Sequence, residues 1–168
     1  MQIALTGTPG TGKTTVAALL HYRVLDINSL VRGGMNLGLD PERGCLEADM
    51  DALAGHLGGI DSKETVILEG HFSHHFADWS IVLRLSPAAL RPRLEKRGYS
   101  QAKIRENLEA EALDVILVEA VDMCQRVDEI DTTGRSAADV AAMIEDIIEG
   151  RLHLPPGQVD WLEELFGR

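Results

Sequence analysis

Four residues of the N-terminal segment TGTPGTGKTT have the types and the spacing that phosphate binding requires. They match the pattern G-x-x-x-x-G-K-[ST] at Gly7, Gly12, Lys13 and Thr14. In this pattern the backbone N–H groups of the loop converge on phosphate oxygens, the lysine reaches the β- and γ-phosphates, and the hydroxyl holds Mg²⁺. Gly10 and Gly12 permit close approaches that a Cβ would forbid. The segment therefore predicts a phosphate-binding loop.

The residues on either side of the loop provide the context that such a loop needs. An apolar stretch over Ile3–Thr6 predicts a strand before it, and Lys13–Leu20 predicts a helix after it. A strand that enters and a helix that leaves distinguish this motif from a glycine-rich turn followed by a lysine. The N-terminus of the helix adds the positive end of its dipole to the phosphate site.

A second set of polar residues follows a short apolar run in the segment VILEGHFSHHF. Glu69 ends the run, and an acid there suits the Mg²⁺-binding element of P-loop enzymes; the alternative is a strand-terminal acid without a ligand. His71 is placed to position water or an acceptor near the γ-phosphate, or it is a hydrogen-bonded loop histidine. His71, His74 and His75 could share a helix face and bind zinc, but no cysteine lies close and no carboxylate completes the set. We therefore expect magnesium rather than zinc.

A basic segment lies within a chain whose formal net charge is −11. Its Lys and Arg residues, set against the single acid Glu95, are Arg84, Arg91, Arg93, Lys96, Arg97, Lys103 and Arg105. Because guanidinium groups bind oxygens bidentately, the segment predicts an arginine clamp on a polyphosphate; a solvated helix face is the alternative. The negative total argues against a generic nucleic-acid-binding surface.

The composition predicts one soluble, cytoplasmic domain. The chain has 168 residues, of which 45% are hydrophobic, and this is enough to bury a single core. Cys45 and Cys124 form no C-x-x-C pair, so we expect ordinary thiols in a reducing compartment. We expect neither a signal peptide nor a membrane span.

Short apolar runs alternate with helical patterns along the chain, which predicts a parallel sheet covered by helices on both faces. The predicted strands are Ile3–Thr6, Val24–Asn28, Val66–Glu69, Ile81–Leu85 and Val127–Asp131. The predicted helices are Lys13–Leu20, Glu47–Leu57, Pro87–Lys96, about Gln101–Cys124, and Ala137–Glu149. The last three helices have N-cap signals at Ser86, Ser100 and Ser136. A final short helix in the tail LPPGQVDWLEELF is expected to pack Trp161, Leu162 and Phe166.

Several motifs together resemble one known family. GTPGTGKTT, the acid-x-His of EGH, a tryptophan a few residues later and RLEKRGY resemble the adenylate kinases of the isoenzyme-six type, also called the coilin-interacting nuclear ATPase family. RLEKRGY is the most discriminating of these motifs, and the resemblance extends from Met1 to about Glu149. It implies transfer of phosphate from MgATP to AMP, broad nucleoside-monophosphate tolerance and some ATPase activity. It also implies a role in small-subunit ribosomal RNA maturation, through transient binding of the ribosomal protein uS11.

The resemblance also implies roles for individual residues. The residues expected to bind the ATP phosphates are Gly10, Gly12, Lys13, Thr14 and Thr15. Arg97, in the RGY of a short lid, would reach over the donor, and Arg32, in SLVRGG, falls where the family binds the acceptor's phosphate. Glu69 and His71 fall on the acid-x-His motif. With Arg93, the arginines would neutralise charge during in-line phosphoryl transfer without a covalent intermediate.

The expected fold is a single P-loop NTPase domain over residues 1–168, similar to nucleoside monophosphate kinases. A glycine-rich and mobile insert at about 29–60 would bind the monophosphate, a short lid at about 96–106 would close over the donor, and a C-terminal helix would span about 156–167. Two other functions stay open. The chain could be an ATPase assembly factor acting on uS11, with kinase activity incidental, or another P-loop small-molecule kinase, such as one for shikimate or dephospho-CoA.

Overall fold

The computed structural model describes residues 1–41, 44–61 and 63–167. Its strands, in chain order, are β1 (Gln2–Thr6), β2 (Arg23–Asp26), β3 (Asn36–Asp40), β4 (Cys45–Ala48), β5 (Val66–Glu69), β6 (Trp79–Arg84) and β7 (Arg126–Asp131). Five of them form a parallel sheet in the order β2-β5-β1-β6-β7, while β3 and β4 pair as an antiparallel hairpin. The predicted α/β fold with a five-stranded parallel sheet is confirmed.

Eight helices are present in the described part of the chain. They are α1 (Lys13–Ala17), α2 (Ile27–Arg32), α3 (Met50–Gly58), α4 (Pro87–Lys96), α5 (Gln101–Ala112), α6 (Val115–Met123), α7 (Ala137–Ile148) and α8 (Leu162–Phe166), with a 3₁₀ turn at Ser73–Phe76. The predicted N-caps are confirmed, because the side chains of Ser86, Ser100 and Ser136 each accept a backbone N–H from the first turn of the following helix. Among these helices, none is long and apolar enough to span a bilayer.

Alternate side chains of the sheet build a core on each of its faces. One face packs against α1 and α7 through a cluster that includes Ile3, Leu5, Ile81, Leu83 and Ile130. On the other face, Val66 and Leu68 pack against α2 and α3, and Val82 packs against α6. Since β1 is the central strand, the loop that follows it emerges from the most constrained part of the sheet.

The connection between β2 and β5 contains elements that sequence reasoning missed. The strand predicted to reach Asn28 ends at Asp26, whose side chain accepts the N–H of Ser29 at 3.1 Å and caps α2. The hairpin of β3 and β4 follows, and the helix predicted from Glu47 begins at Met50. Glu42 and Arg43, which belong to the predicted insert, lie outside the described residues.

Two further expectations were wrong in part. The single helix predicted over Gln101–Cys124 is broken at Asp114, which has a left-handed φ of +57° and separates α5 from α6. In the tail, Leu162 and Phe166 are exposed, and Leu165 packs instead against the cluster formed by α4 and α5. Helix amphipathicity alone does not indicate which of several neighbouring apolar side chains will meet a distant surface.

Candidate active site

The loop between β1 and α1 has the backbone geometry of a phosphate cradle. Gly7, Gly10 and Gly12 have φ values of +138°, +100° and +106°, which side chains with a Cβ rarely adopt. A Cβ at Gly7 would also collide with the carbonyl oxygen of Leu83, on the neighbouring strand. The glycines therefore allow the loop to turn sharply while lying against β6.

Lys13 is folded into the centre of this loop. Its side chain is buried, and its Nζ donates hydrogen bonds to the carbonyl oxygens of Gly7, at 2.7 Å, and Thr8, at 3.0 Å. Burial lowers the pKa of Lys13 to about 8, although the Glu69 carboxylate acts in the opposite direction. The ammonium group is thus held at the loop by carbonyl oxygens, with a charge that an incoming anion would stabilise.

Thr14 and Glu69 place two oxygen ligands beside Lys13. The Thr14 hydroxyl donates to Glu69 Oε1 at 3.3 Å, because β1 and β5 are neighbours and both end at the same edge of the sheet. Glu69 is almost fully buried, and this burial raises its pKa while the Lys13 ammonium lowers it. A hydroxyl and a carboxylate are the hard oxygen donors that Mg²⁺ prefers, so these residues fit that ion.

Most of the predicted site residues line one central cavity of about 380 Å³. Its walls include Gly10, Gly12, Lys13, Thr14, Arg32, Glu69, His71 and Arg97. Arg32 is oriented by the Ser29 hydroxyl, which accepts from its Nη2 at 2.9 Å. The structure therefore brings together residues from β5, α1, α2 and the end of α4 at the C-terminal edge of the sheet, where ligands of open α/β sheets bind.

A second cavity, of about 570 Å³, lies between the phosphate loop and the start of α7 and shares Gly10, Gly12 and Arg97 with the central cavity. Thr15, Arg93 and Arg97 line it, and Arg93 Nη1 donates to the carbonyl oxygen of Gly10 at 3.2 Å. Sequence reasoning missed four further lining residues that follow β7 or begin α7, namely Thr132, Arg135, Ala137 and Val140. The turn signal TTGRS after the last strand could have pointed to them.

A third cavity, of about 780 Å³, opens between α2 and the β3–β4 hairpin. It shares Arg32 and His71 with the central cavity, and Val31 and Phe72 contribute apolar walls. The hairpin supplies Asp40, Cys45, Leu46, Glu47 and Ala48. The central cavity thus connects two larger ones, and Arg97 lines the side toward the phosphate loop while Arg32 lines the side toward the hairpin.

His71 is accessible to solvent but stands within these concave walls. The enclosing protein lowers its pKa to about 4, and the positive charges of Lys13 and Lys103, with that of His74 when it is protonated, act in the same direction. His71 is therefore neutral at pH 7. A neutral imidazole can accept one hydrogen bond and donate another, which suits a group that orients a hydroxyl or a phosphate.

Arg84 does not belong to the arginine clamp that the basic segment predicted. It is 1% exposed, and its guanidinium donates to Glu111 Oε1 at 2.9 Å, to Glu129 Oε1 at 2.6 Å and to Asp114. Burial acts to lower the pKa of Arg84, but the carboxylates of Glu111 and Asp114 outweigh it and raise the pKa. This residue is a buried structural cation.

The buried network reaches the phosphate loop through Glu111. Its second oxygen, Oε2, accepts a hydrogen bond from the Thr8 hydroxyl, and Oε1 accepts the N–H of Leu85 at 3.0 Å. Helix α5, strand β6 and the phosphate loop are therefore joined at one carboxylate. A network whose members are all hydrogen-bonded holds its elements in one arrangement.

The fold and the loop are those found in P-loop kinases. A family described as an AAA domain matches residues 3–114. Among solved structures, the shikimate kinase from Acinetobacter baumannii in complex with shikimate has a TM-score of 0.58 and 18% identity, covering 89% of this chain and 93% of its own. A structure titled as a putative kinase from Chloroflexus aurantiacus has a TM-score of 0.55 and 18% identity, with 90% and 97% coverage. At such identities the likeness shows the fold alone.

Archaeal relatives are similar over almost their entire length. A protein from Methanothermobacter thermautotrophicus named "Putative adenylate kinase" is 51% identical over 98% of this chain and 99% of its own. A protein of the same name from Archaeoglobus fulgidus is 46% identical, over 100% of this chain and 96% of its own. The chain belongs to this family of P-loop kinases.

Proposed function

We propose that this protein is a nucleoside monophosphate kinase that transfers the γ-phosphoryl group of MgATP to AMP, in the reaction ATP + AMP = 2 ADP. The observation that carries the proposal is the arrangement of two nucleotide-sized cavities, of about 570 and 780 Å³, on either side of the phosphate loop's central cavity. Two nucleotides bound in this way would meet end to end at Lys13, which suits direct transfer between them. The names of the archaeal relatives point to AMP as the acceptor.

The donor is assigned to the cavity beside α7. The triphosphate would follow the loop, with Gly10, Gly12, Lys13, Thr14 and Thr15 around it. Arg93 and Arg97 face the same space and would neutralise the phosphates. The wall formed by Val16, Ala137 and Val140 is apolar, which suits the flat face of a base.

Mg²⁺ would be held by Thr14 and Glu69. The ion supplies charge neutralisation at the β- and γ-phosphates, which is the main demand of phosphoryl transfer. Glu69 Oε1 accepts a hydrogen bond from the Thr14 hydroxyl at 3.3 Å, so the two oxygens already lie close together. Lys13, which lines the same central cavity, would provide a second, fixed positive charge for the phosphates.

The acceptor is assigned to the cavity between α2 and the hairpin. Arg32 would bind the monophosphate, because its guanidinium lies where this cavity joins the central one. Phe72 and Val31 offer apolar contact to the base. His71 stands at the same junction and, being neutral, would orient the attacking phosphate oxygen. Residues 29–60 would form the acceptor-binding insert, and residues 96–106 the lid.

The resemblance to the isoenzyme-six type supports a broader proposal. It includes ATPase activity, tolerance of other monophosphates, a cytoplasmic location and a part in small-subunit rRNA maturation through transient binding of uS11. The net charge of −11 favours a basic protein partner by complementarity, and it disfavours generic binding to nucleic acid. In this second function, as an assembly ATPase, ATP hydrolysis rather than phosphoryl transfer to AMP would be the useful output.

The test is ADP formation by the purified protein with MgATP, alone and with AMP, CMP, UMP or GMP. We expect a large AMP-dependent rise that Lys13→Ala abolishes, together with any ATP hydrolysis. Arg32→Ala should reduce AMP use by about 100-fold and hydrolysis far less, because loss of one phosphate clamp commonly costs a few kcal/mol. Arg23→Ala, which removes an exposed arginine paired with Glu64, is the control.

Two outcomes would contradict parts of the proposal. Equal losses of the two activities in Arg32→Ala would remove the acceptor assignment. Slow hydrolysis that no monophosphate accelerates would overturn the kinase and favour the assembly ATPase, and a pull-down with uS11 would then separate that function from an inactive preparation.

A further inference from the structure

Two histidines of the 3₁₀ turn after β5 meet a carboxylate from α6. The ring centroids of His74 and His75 are 4.6 Å apart, and His74 Nε2 lies 3.2 Å from Glu119 Oε2. One nitrogen or oxygen from each of the three residues lies within 4.8 Å of the other two. The sequence argument that no carboxylate completes a zinc set is therefore corrected, because Glu119 approaches from a different element.

The Thr6 hydroxyl is the partner of the other ring nitrogen of His74, Nδ1. Its oxygen lies 3.2 Å from Nδ1 and 3.2 Å from the carbonyl oxygen of His71, so the hydroxyl can donate to that carbonyl while it accepts from Nδ1. With the hydroxyl turned toward Nδ1 instead, Nε2 carries the proton and donates it to Glu119. With the proton on Nδ1, the Nε2 lone pair of a neutral His74 faces Glu119.

His74 Nε2 and Glu119 Oε2, 3.2 Å apart, can share either the proton of the imidazole, as a hydrogen bond, or a cation that takes the place of that proton. The His74 side chain has no exposed surface, whereas half of the Glu119 side chain is exposed and can adjust. A cation at this point would satisfy the nitrogen, the carboxylate and the adjacent His75 ring together.

The chemistry of the donor set selects the class of cation. Two imidazoles with one carboxylate, and water in the fourth position, are typical ligands of zinc, while Mg²⁺ and Ca²⁺ prefer oxygen. Tetrahedral ligands at about 2.1 Å from zinc lie about 3.4 Å apart. The His74–Glu119 distance of 3.2 Å is already close to this value. The three ligand atoms lie within 4.8 Å of one another, so the exposed His75 and Glu119 side chains would move by up to about 1.4 Å to close the set. The bond from His74 Nδ1 to Thr6 is the outer contact that fixes a metal-binding histidine.

We propose that His74, His75 and Glu119 form a binding site for one zinc ion, separate from the magnesium ligands Thr14 and Glu69. The ion would join the turn after β5 to α6 and so hold the segment that carries His71. Access is open, because two of the three ligands, His75 and Glu119, are exposed to solvent. Competition between metals would be low, since the two sites differ in donor type.

The test is a zinc titration of the full, metal-stripped protein against a chromogenic chelator, with millimolar Mg²⁺ present to occupy oxygen-only sites. We expect one zinc per chain, and an affinity reduced at least about tenfold in Glu119→Gln and in His75→Ala. Both substituted side chains are exposed, so folding should be retained; circular dichroism checks this. His21→Ala is the matched control. His21 is an exposed histidine that also contacts a carboxylate, Glu145, at 2.7 Å, but it has no second histidine nearby in the sequence.

A second readout is thermal unfolding with and without zinc. The wild-type chain and His21→Ala should gain stability from zinc, and Glu119→Gln and His75→Ala should gain little. Zinc affinity unchanged in both site variants would overturn the proposal, as would the absence of stoichiometric binding to the wild-type chain. In either case Nε2 of His74 would carry the proton and donate it to Glu119.

Discussion

Replacing Arg84 tests whether the buried network holds the sheet and the phosphate loop in place. Arg84→Met keeps an unbranched side chain of similar length but removes the cation. The guanidinium loses its bonds to Glu111, Glu129 and Asp114, and to the Glu111 carbonyl oxygen at 2.9 Å. Glu111 and Glu129 then remain buried, at 2% and 3% exposure, without their cation.

The expected loss of stability is set by what each carboxylate retains. Removing one partner of a buried ion pair costs about 3–5 kcal/mol. Glu111 keeps the Thr8 hydroxyl and the N–H of Leu85, and Glu129 keeps the N–H groups of Gly157 and Gln158, at 2.8 and 2.9 Å. Because two donors remain on each carboxylate, we expect about 3 kcal/mol, the lower end of that range. For a chain of this size, this is a fall in Tm of about 6–12 °C.

The assay is urea unfolding at pH 7, followed by circular dichroism, with the slope compared between variants to confirm the same two-state transition. Arg105→Met is the control: it belongs to the same basic segment and pairs with Glu109 at 2.6 Å, but it is exposed and should leave unfolding unchanged. A loss below about 1 kcal/mol in Arg84→Met would refute the reasoning, because the two carboxylates would then be stable without the cation.

Three further predictions concern the phosphate loop and the proposed magnesium ligand Glu69. Binding of MgADP should be accompanied by proton uptake above pH 8 and by almost none at pH 6.5, because the bound phosphates raise the pKa of Lys13 from its value of about 8 in the free protein. Calorimetry in buffers of different ionisation heat measures the number of protons taken up. Lys13→Arg should show no uptake, because arginine stays charged throughout this range. Gly10→Ala should lower the Tm and weaken nucleotide binding, because the added Cβ would lie 2.7 Å from Leu90 Cδ1. Gly98→Ala is the control: Gly98 has a φ of +73° and open space around it, so this variant measures the cost of a positive φ without a steric clash. Glu69→Gln should raise the Mg²⁺ concentration needed for activity without lowering stability, because burial already disfavours the Glu69 charge; a lower Tm without Mg²⁺ would contradict this.

The elements predicted correctly are those whose signals lie within a few residues. Ser86, Ser100 and Ser136 cap helices because a side-chain oxygen reaches an N–H three residues on, whatever lies elsewhere in the fold. The strands around the loop were predicted because buried parallel strands need continuous apolar runs. The short helix α2 was missed, although Asp26 gives the same kind of cap signal, because its six residues were too few to show a period.

The break between α5 and α6 shows where local signals fail. Helical periodicity runs through Asp114 without a glycine or proline, so the sequence predicts one helix there. In the structure Asp114 has a left-handed conformation and binds Arg84, which lies 30 residues earlier. A contact over that separation depends on how α5 packs on β6, and no spacing within the helix reports it.

The sequence by itself determined the phosphate loop, the strand and helix around it, and the acid that ends β5, because each depends on residues adjacent in the chain. The tertiary structure alone decided that Arg84 is a buried cation and not a phosphate ligand, that three cavities connect at Arg32, His71 and Arg97, and that Glu119 meets His74. Thr8 and Glu111 are 103 residues apart, and His74 and Glu119 are 45 apart. Such meetings follow from the order of strands in the sheet and the packing of helices upon it, which bring together residues that the linear spacing of the chain leaves unrelated.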